Sequence, residues 1–109
     1  MKWYEPLYTG DGIRRRAAHI RERLDAGKVS PDHFLITLAA GRDDYLDVIS
    51  TNYLFQESVR RTLPPVVGIA KDKGEAMGIV VRITEECYRE TGDADLKRWL
   101  LDRGHITGV

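Results

Sequence analysis

The chain has 109 residues, a common length for one domain, and its 17 basic residues balance 17 acidic ones. A hydrophobic content of 42% argues against disorder, and the zero net charge gives little long-range attraction to nucleic acid or an anionic membrane. Because Cys87 is the only cysteine and no run approaches the ~20 apolar residues that span a bilayer, we predict one cytoplasmic domain, residues 1–109, without a membrane partner.

The first helical pattern lies shortly after the aromatic N-terminal segment. Ile13, Ala17, Ile20 and Leu24 recur at helical spacing, which predicts an amphipathic helix over residues 12–26. Their shared face should be buried against the rest of the domain.

The same helix is rich in arginine, and such a row can indicate nucleic-acid binding. At ~100° per residue, however, these side chains flank the apolar stripe on both sides and do not form one patch. We therefore do not expect nucleic acid as the partner, and we retain it only as an alternative. The residues concerned are Arg14, Arg15, Arg16, Arg21 and Arg23.

Two strands and a short helix are predicted next. Phe34–Ala39 is almost entirely apolar, which favours a strand buried on both faces. A short polar turn separates it from Tyr45–Ser50, so the two should form an antiparallel hairpin. A short helix over residues 52–62, with Phe55 and Val59 on one face, should end before Pro64.

The second half of the chain reads as a strand followed by two helices. Val66–Ala70 is an apolar strand, and Asp72 with Glu75 three residues later resembles a capping box. This pair predicts a long helix over residues 73–91, with Met77, Val81 and Tyr88 widening its buried stripe. A last helix should carry Leu96, Trp99 and Leu100, and residues 105–109 should be a loose tail.

These elements predict an α/β (α+β) fold in the order αββαβαα. The expected sheet is small, mixed and three-stranded, packed with three to four helices, with Phe34–Ala39 between its two neighbours. A strand over residues 3–8 would add a fourth and give a ferredoxin-like βαββαβ order. Pro6 argues against that strand, because proline removes a backbone donor from the ladder.

A small anionic ligand, phosphate or carboxylate, is the chemistry that the strand-loop-helix unit at residues 66–91 favours. Helix N-termini present unpaired N–H groups to anions, and ligands of open α/β sheets bind outside the carboxyl ends of strands. The spacing of the glycines matches neither a Walker loop nor a dinucleotide fingerprint. The candidate ligand-binding residues are Lys71, Asp72, Lys73 and Gly74, with Asp43 and Asn52 joining if the second strand ends nearby.

The remaining chemistry-bearing residues predict no reaction. The three histidines match no metal-ligand spacing, and we predict no catalytic residue, metal or cofactor. Trp3, Tyr4, Tyr8 and Trp99 are candidate interface residues, because Tyr and Trp are enriched at interfaces. The first functional hypothesis is therefore a non-catalytic, homodimeric interaction domain, with anion binding and nucleic-acid binding as the alternatives.

Overall fold

The computed structural model describes residues 1–28 and 30–108. Within these residues, no helix is both long enough and apolar enough to cross a membrane. In chain order the elements are β1 (Lys2–Thr9), α1 (Ala17–Asp25), β2 (Phe34–Ala39), β3 (Arg42–Ser50), a 3₁₀ helix (Thr51–Phe55), α2 (Glu57–Thr62), β4 (Val66–Ala70), α3 (Lys73–Thr91), α4 (Leu96–Arg103) and β5 (His105–Gly108).

The described strands form one mixed sheet in the order β3-β2-β4-β1-β5. The predicted α/β class is confirmed, and so is the position of β2 between β3 and β4, antiparallel to both. The predicted number of three or four strands is wrong, because the sheet has five within the described residues. β4 is the central strand and pairs in parallel with β1, so the order is not the ferredoxin-like one.

β1 is an inner strand in spite of Pro6, so the argument against a strand over residues 3–8 is wrong. The register of β1 on β4 jumps from Trp3 opposite Val66 to Tyr8 opposite Gly68, which places Pro6 in a bulge. On the other side, β5 reaches only as far as Glu5. A proline at this position therefore removes no ladder hydrogen bond.

The predicted loose tail is also a strand as far as Gly108. β5 pairs antiparallel with β1 along its whole length, from Lys2 opposite Gly108 to Glu5 opposite His105. A segment of four residues carries too little periodicity to be recognised, and tertiary contacts order it: it pairs with β1, and Ile106 packs against buried core residues. Val109 lies outside the described residues.

Helices cover both faces of the sheet, and the sheet divides the core into two clusters. One cluster lies under α3 and α4, and the other lies under α1 and the 3₁₀ helix. The predicted apolar face of the first helix is buried as expected, although α1 begins at Ala17 and not at residue 12. The first cluster includes Tyr4, Tyr8, Ile36, Val67, Ile83 and Trp99, and the second includes Trp3, Ile13, Ile20, Leu35, Leu54 and Ile69.

The helix over residues 73–91 has the predicted bounds and the predicted cap. The Oδ1 atom of Asp72 accepts a hydrogen bond of 2.8 Å from the backbone N–H of Glu75. The predicted width of its buried stripe is wrong, because Met77, Val81 and Tyr88 are about half exposed or more. Tertiary packing on the sheet covers only the narrower face centred on Ala76, Ile79, Ile83 and Cys87.

The predicted helix over residues 52–62 is interrupted. Gln56 has an extended backbone, with ψ at 118°, and separates the 3₁₀ helix from α2. Phe55 and Val59 therefore do not share a continuous helical face: Phe55 is exposed, and Leu54 is the buried residue of this segment.

Candidate functional site

The carboxyl ends of β1 and β4 form the crevice at which open α/β sheets bind ligands. These two strands are parallel neighbours, and the helices that follow them pack on opposite faces of the sheet. Such a reversal leaves an open crevice between the two departing chains. The place predicted from Val66–Ala70 is therefore retained, but its second wall comes from β1 and the residues after it.

The position at the start of α3 where we expected an anionic ligand is occupied by the carboxylate of Glu75. One carboxylate oxygen of Glu75 accepts the backbone N–H of Lys71 at 3.0 Å, and the other accepts the N–H of Gly12 at 3.0 Å. Gly10 lies so close that a Cβ atom there would overlap this carboxylate. The predicted residues Lys71, Asp72, Lys73 and Gly74 are exposed around it, and Glu75 takes the place that we expected a ligand to occupy.

Asp43 and Asn52 do not both lie at the same edge of the sheet as that loop. Phe34 on β2 is opposite both Ser50 and Ala70, so Asn52, just after β3, lies at the same edge as Lys71, two strands away. Asp43 lies near the other end of β3, about 23 Å from Ser50 at ~3.3 Å per residue. Asp43 is 3.9 Å from the Nζ atom of Lys97, and Asn52 accepts the backbone N–H of Asp32 at 3.0 Å. Asp43 therefore belongs to the opposite end of the sheet from Lys71.

A polar cavity of about 260 Å³ opens beside the bulged part of β1. We call it the arginine pocket, because Arg14, Arg82 and Arg103 line it together with Tyr8 and Glu86. Its charged side chains come from the turn after β1, from two successive turns of α3 and from the end of α4. Pro6, Leu7 and Thr9 complete its lining.

Hydrogen bonds fix the side chains of this pocket relative to one another. The Nη1 atom of Arg103 donates to the hydroxyl oxygen of Tyr8 at 3.0 Å, and that hydroxyl donates to Glu86 at 3.3 Å. The Nε atom of Arg82 donates to the other oxygen of Glu86 at 3.2 Å, and its guanidinium carbon lies 5.1 Å from the centroid of the Tyr8 ring. Glu86 thus holds two guanidinium groups in place at one side of the cavity.

The electrostatics of the pocket favour a negatively charged guest. Three guanidinium groups line it, and Glu86 is the carboxylate among its lining residues. Arg14 is also bonded to Asp11, at 2.7 Å, on the exposed side. Burial raises the pKa of Tyr8 above its ordinary value, and Glu86 adds to this effect while Arg103 opposes it. Tyr8 is therefore a neutral hydroxyl at physiological pH.

The arginines of residues 12–26 are divided between α1 and the turn that precedes it. Arg21 forms an ion pair with Glu5 and lies 5.0 Å over the ring of Trp3. Arg14 points to the arginine pocket, and it precedes α1 together with Arg15 and Arg16. The alternative of nucleic-acid binding through this helix thus loses the continuous helical row on which it depended.

The aromatic residues proposed for an interface are core residues of the monomer. Trp3, Tyr4, Tyr8 and Trp99 are each less than a tenth exposed, so their side chains offer little area to a partner. The homodimer stays a prediction, without these side chains as its contact surface. The exposed large apolar side chains are Tyr45, Tyr53, Phe55, Met77, Val81, Tyr88 and Leu101.

Sequence reasoning missed Arg82, Glu86 and Arg103, because no local motif contains them. They are separated from Tyr8 and Arg14 by most of the chain and meet only through the pairing of β1 with β4 and the packing of α3 and α4. Within residues 1–28 and 30–108, no group of three His, Cys, Asp or Glu side chains is arranged to hold a metal ion. Comparison with protein-family models, with curated proteins and with solved structures finds no match.

Proposed function

We propose that this domain binds a small anionic ligand, a phosphate or a carboxylate, in the arginine pocket. The observation that carries the proposal is the convergence of Arg14, Arg82 and Arg103 on one cavity of about 260 Å³. Guanidinium groups present planar pairs of N–H donors that match the oxygens of phosphates and carboxylates. A cavity of this size is slightly below the range for drug-sized molecules, so it suits a ligand of few heavy atoms.

The arginine pocket is a better candidate than the larger cavity at the other end of the sheet. That cavity, of about 600 Å³, lies beside the end of α1 and the segment before β4. Its charges are mixed, since Lys2, Arg60 and Arg61 face Asp25 and Glu57. Arg60 is bonded to the carbonyl oxygen of Gly27 at 3.0 Å, and Asp25 accepts from the indole N–H of Trp3 at 2.7 Å.

The proposed function is binding without a chemical step. The hydrogen-bond donors that face the pocket are the three guanidinium groups, since the neutral hydroxyl of Tyr8 donates its one proton to Glu86. Glu86, the carboxylate that lines the pocket, is engaged by Arg82 and Tyr8. Such an arrangement holds and orients an anion.

Isothermal titration calorimetry with inorganic phosphate and acetate tests the proposal. Removing a charged donor costs about 1.5–3 kcal/mol, so Arg82→Gln should weaken binding by about tenfold or more. Arg89→Gln is the matched control, because Arg89 is exposed on the same helix and does not line the pocket. The control should bind as the wild type does.

Trp99 offers a second readout of the same binding event. The guanidinium carbon of Arg103 lies 4.2 Å from the centroid of the Trp99 ring, so a ligand that engages Arg103 should change Trp99 fluorescence. Trp3, the other tryptophan, lies in the cluster on the opposite face and should report no change. If neither anion binds the wild type, or if Arg82→Gln and Arg89→Gln bind equally well, the proposal is wrong.

A further inference from the structure

The three guanidinium groups of the arginine pocket consist of a fixed pair and a separate third member. Arg82 and Arg103 form the pair, because both lie against Glu86. The Nε atom of Arg82 donates to one carboxylate oxygen at 3.2 Å, and the Nη1 atom of Arg103 lies 3.6 Å from the other. Arg14 is bonded to a different carboxylate, since its Nη2 atom donates to Asp11 at 2.7 Å.

Arg14 also reaches the cavity from a different part of the fold. It lies in the turn between β1 and α1, whereas Arg82 and Arg103 lie on α3 and α4. It therefore belongs to the wall that β1 and the residues after it form. The ion pair of Arg14 with Asp11 joins two exposed side chains, and such pairs add little stability. Arg14 can thus turn toward a bound ligand at small cost.

The pocket offers more hydrogen-bond donors than a carboxylate can accept. Each guanidinium group has five N–H donors in a planar fork, and within residues 1–28 and 30–108 each of the three makes one hydrogen bond. A carboxylate has two oxygens, which the pair of Arg82 and Arg103 can engage, and it would leave Arg14 without an acceptor. A phosphoryl group has three terminal oxygens, one for each guanidinium group.

The charge of the pocket also matches a phosphoryl group better than a carboxylate. Its lining residues carry three guanidinium groups and the one carboxylate of Glu86, which leaves a surplus of two positive charges. A phosphate group carries about −1.5 to −2 charges at pH 7, whereas a carboxylate carries one negative charge. The side chain of Asp11, outside this lining, is 94% exposed, so water and salt screen its charge.

We propose that the ligand carries a phosphoryl group, in inorganic phosphate or in a phosphate monoester, and that Arg14 selects it over a carboxylate. Arg82 and Arg103 bind two of the terminal oxygens, and Arg14 binds the third. This inference rests on the proposed function, since it assumes that the anion lies in the arginine pocket.

Calorimetry at pH 7.5 with probes that differ in their free oxygens measures the preference. Methyl phosphate has three free oxygens, whereas dimethyl phosphate and acetate have two. Loss of one charge-assisted hydrogen bond should make both of these ligands about tenfold weaker than methyl phosphate. Inorganic phosphate distinguishes the two sources: tighter binding of methyl phosphate indicates a monoester, and equal or tighter binding of inorganic phosphate indicates the free ion.

Arg14→Gln tests the role of the third guanidinium group. It should weaken methyl phosphate about tenfold and leave acetate and dimethyl phosphate within about twofold, because these two engage only the pair. Arg15→Gln is the matched control, since Arg15 is exposed in the same turn and does not line the cavity. The control should retain the preference. A merely structural effect of Arg14→Gln would weaken all three ligands alike.

The outcomes separate this inference from the proposed function. If no phosphate or carboxylate binds, the proposed function fails and the selection by Arg14 fails with it. If acetate or dimethyl phosphate binds the wild type as tightly as methyl phosphate, and Arg82→Gln still weakens them, only this inference is wrong. A preference for methyl phosphate that survives in Arg14→Gln would also overturn it, because another group would then bind the third oxygen.

Discussion

At the scale of single residues, two glycines show how differently the same residue type is constrained in this fold. Gly104 connects α4 to β5, and a Cβ atom there would overlap the carbonyl oxygen of Glu5 and lie 2.7 Å from the hydroxyl oxygen of Tyr4. Its backbone is extended, so the constraint is steric and not conformational. Gly78, in contrast, faces open space. The first glycine is required for packing, and the second is free to be replaced.

The same substitution should therefore have opposite effects at these two positions. Gly104→Ala should destabilise the protein by about 1–3 kcal/mol, because β5 must move away from β1 to relieve the overlap. Gly78→Ala should stabilise it by about 0.5–1 kcal/mol, as expected for alanine in a helix interior. Urea denaturation of the two variants measures both changes in the free energy of unfolding. A loss of stability in Gly78→Ala would show that its side chain meets atoms that the structure leaves apart.

Tyr8 should make the stability of the protein sensitive to alkaline pH. Burial raises the pKa of Tyr8 in the folded state, whereas an unfolded tyrosine has the ordinary value of 10.0. The unfolded state therefore loses this proton first, and the free energy of unfolding falls as the pH rises above about 10. Tyr8→Phe removes this ionisation, so its stability should fall less steeply between pH 9 and pH 11 than that of the wild type. Equal slopes in urea denaturation would contradict the assignment.

At the scale of elements, the sequence predicted those whose signals are local. α3 has the predicted bounds because Asp72 caps its start and Gly92, with φ at 75°, ends it. The predicted start of the first helix was wrong, because a tertiary contact holds the preceding turn: the N–H of Gly12 is bonded to Glu75, more than sixty residues away. The capping signal at Glu75 was read correctly, but its side chain bonds to Lys71 and Gly12 and not to the cap residue.

The candidate site follows the same division between local and tertiary information. The carboxyl end of β4 was identified from its strand-loop-helix pattern. The arginine pocket was not identified, because it depends on β1 lying parallel to β4. Pro6 had argued against a strand in this segment. Arg103 reaches Tyr8 across 95 positions of the chain, a contact that no spacing rule anticipates.

At the scale of the whole molecule, β4 holds the sheet together. All five of its residues are buried, and it pairs with β2 on one side and with β1 on the other. The strands β1 and β2 have no ladder in common and are joined only through β4. Both core clusters also contain β4 residues, Val67 and Ala70 in one and Val66 and Ile69 in the other.

A fragment comprising residues 1–63 should therefore lack a stable tertiary structure. It contains β1, β2 and β3 but not the strand that connects them, and an isolated β2–β3 hairpin is marginal in water. Circular dichroism during thermal unfolding should show no cooperative transition for the fragment, in contrast to the full chain. A cooperative transition in the fragment would mean that β1 docks without β4.

β4 is central in the sheet but follows β1, β2 and β3 in the chain, so these strands are synthesised before the strand that joins them. While residues 1–65 are being synthesised, the edges of β1 and β2 that pair with β4 have no partner strand. The apolar side chains of Leu35 and Ile36 then lack their contacts with β4. The other edge of β1 stays unpaired for longer, since its partner β5 comprises His105–Gly108. Contacts of such long range slow folding and leave edges exposed to other chains meanwhile. Until β4 and β5 have been made, the exposed strand edges and apolar side chains should therefore favour binding by chaperones.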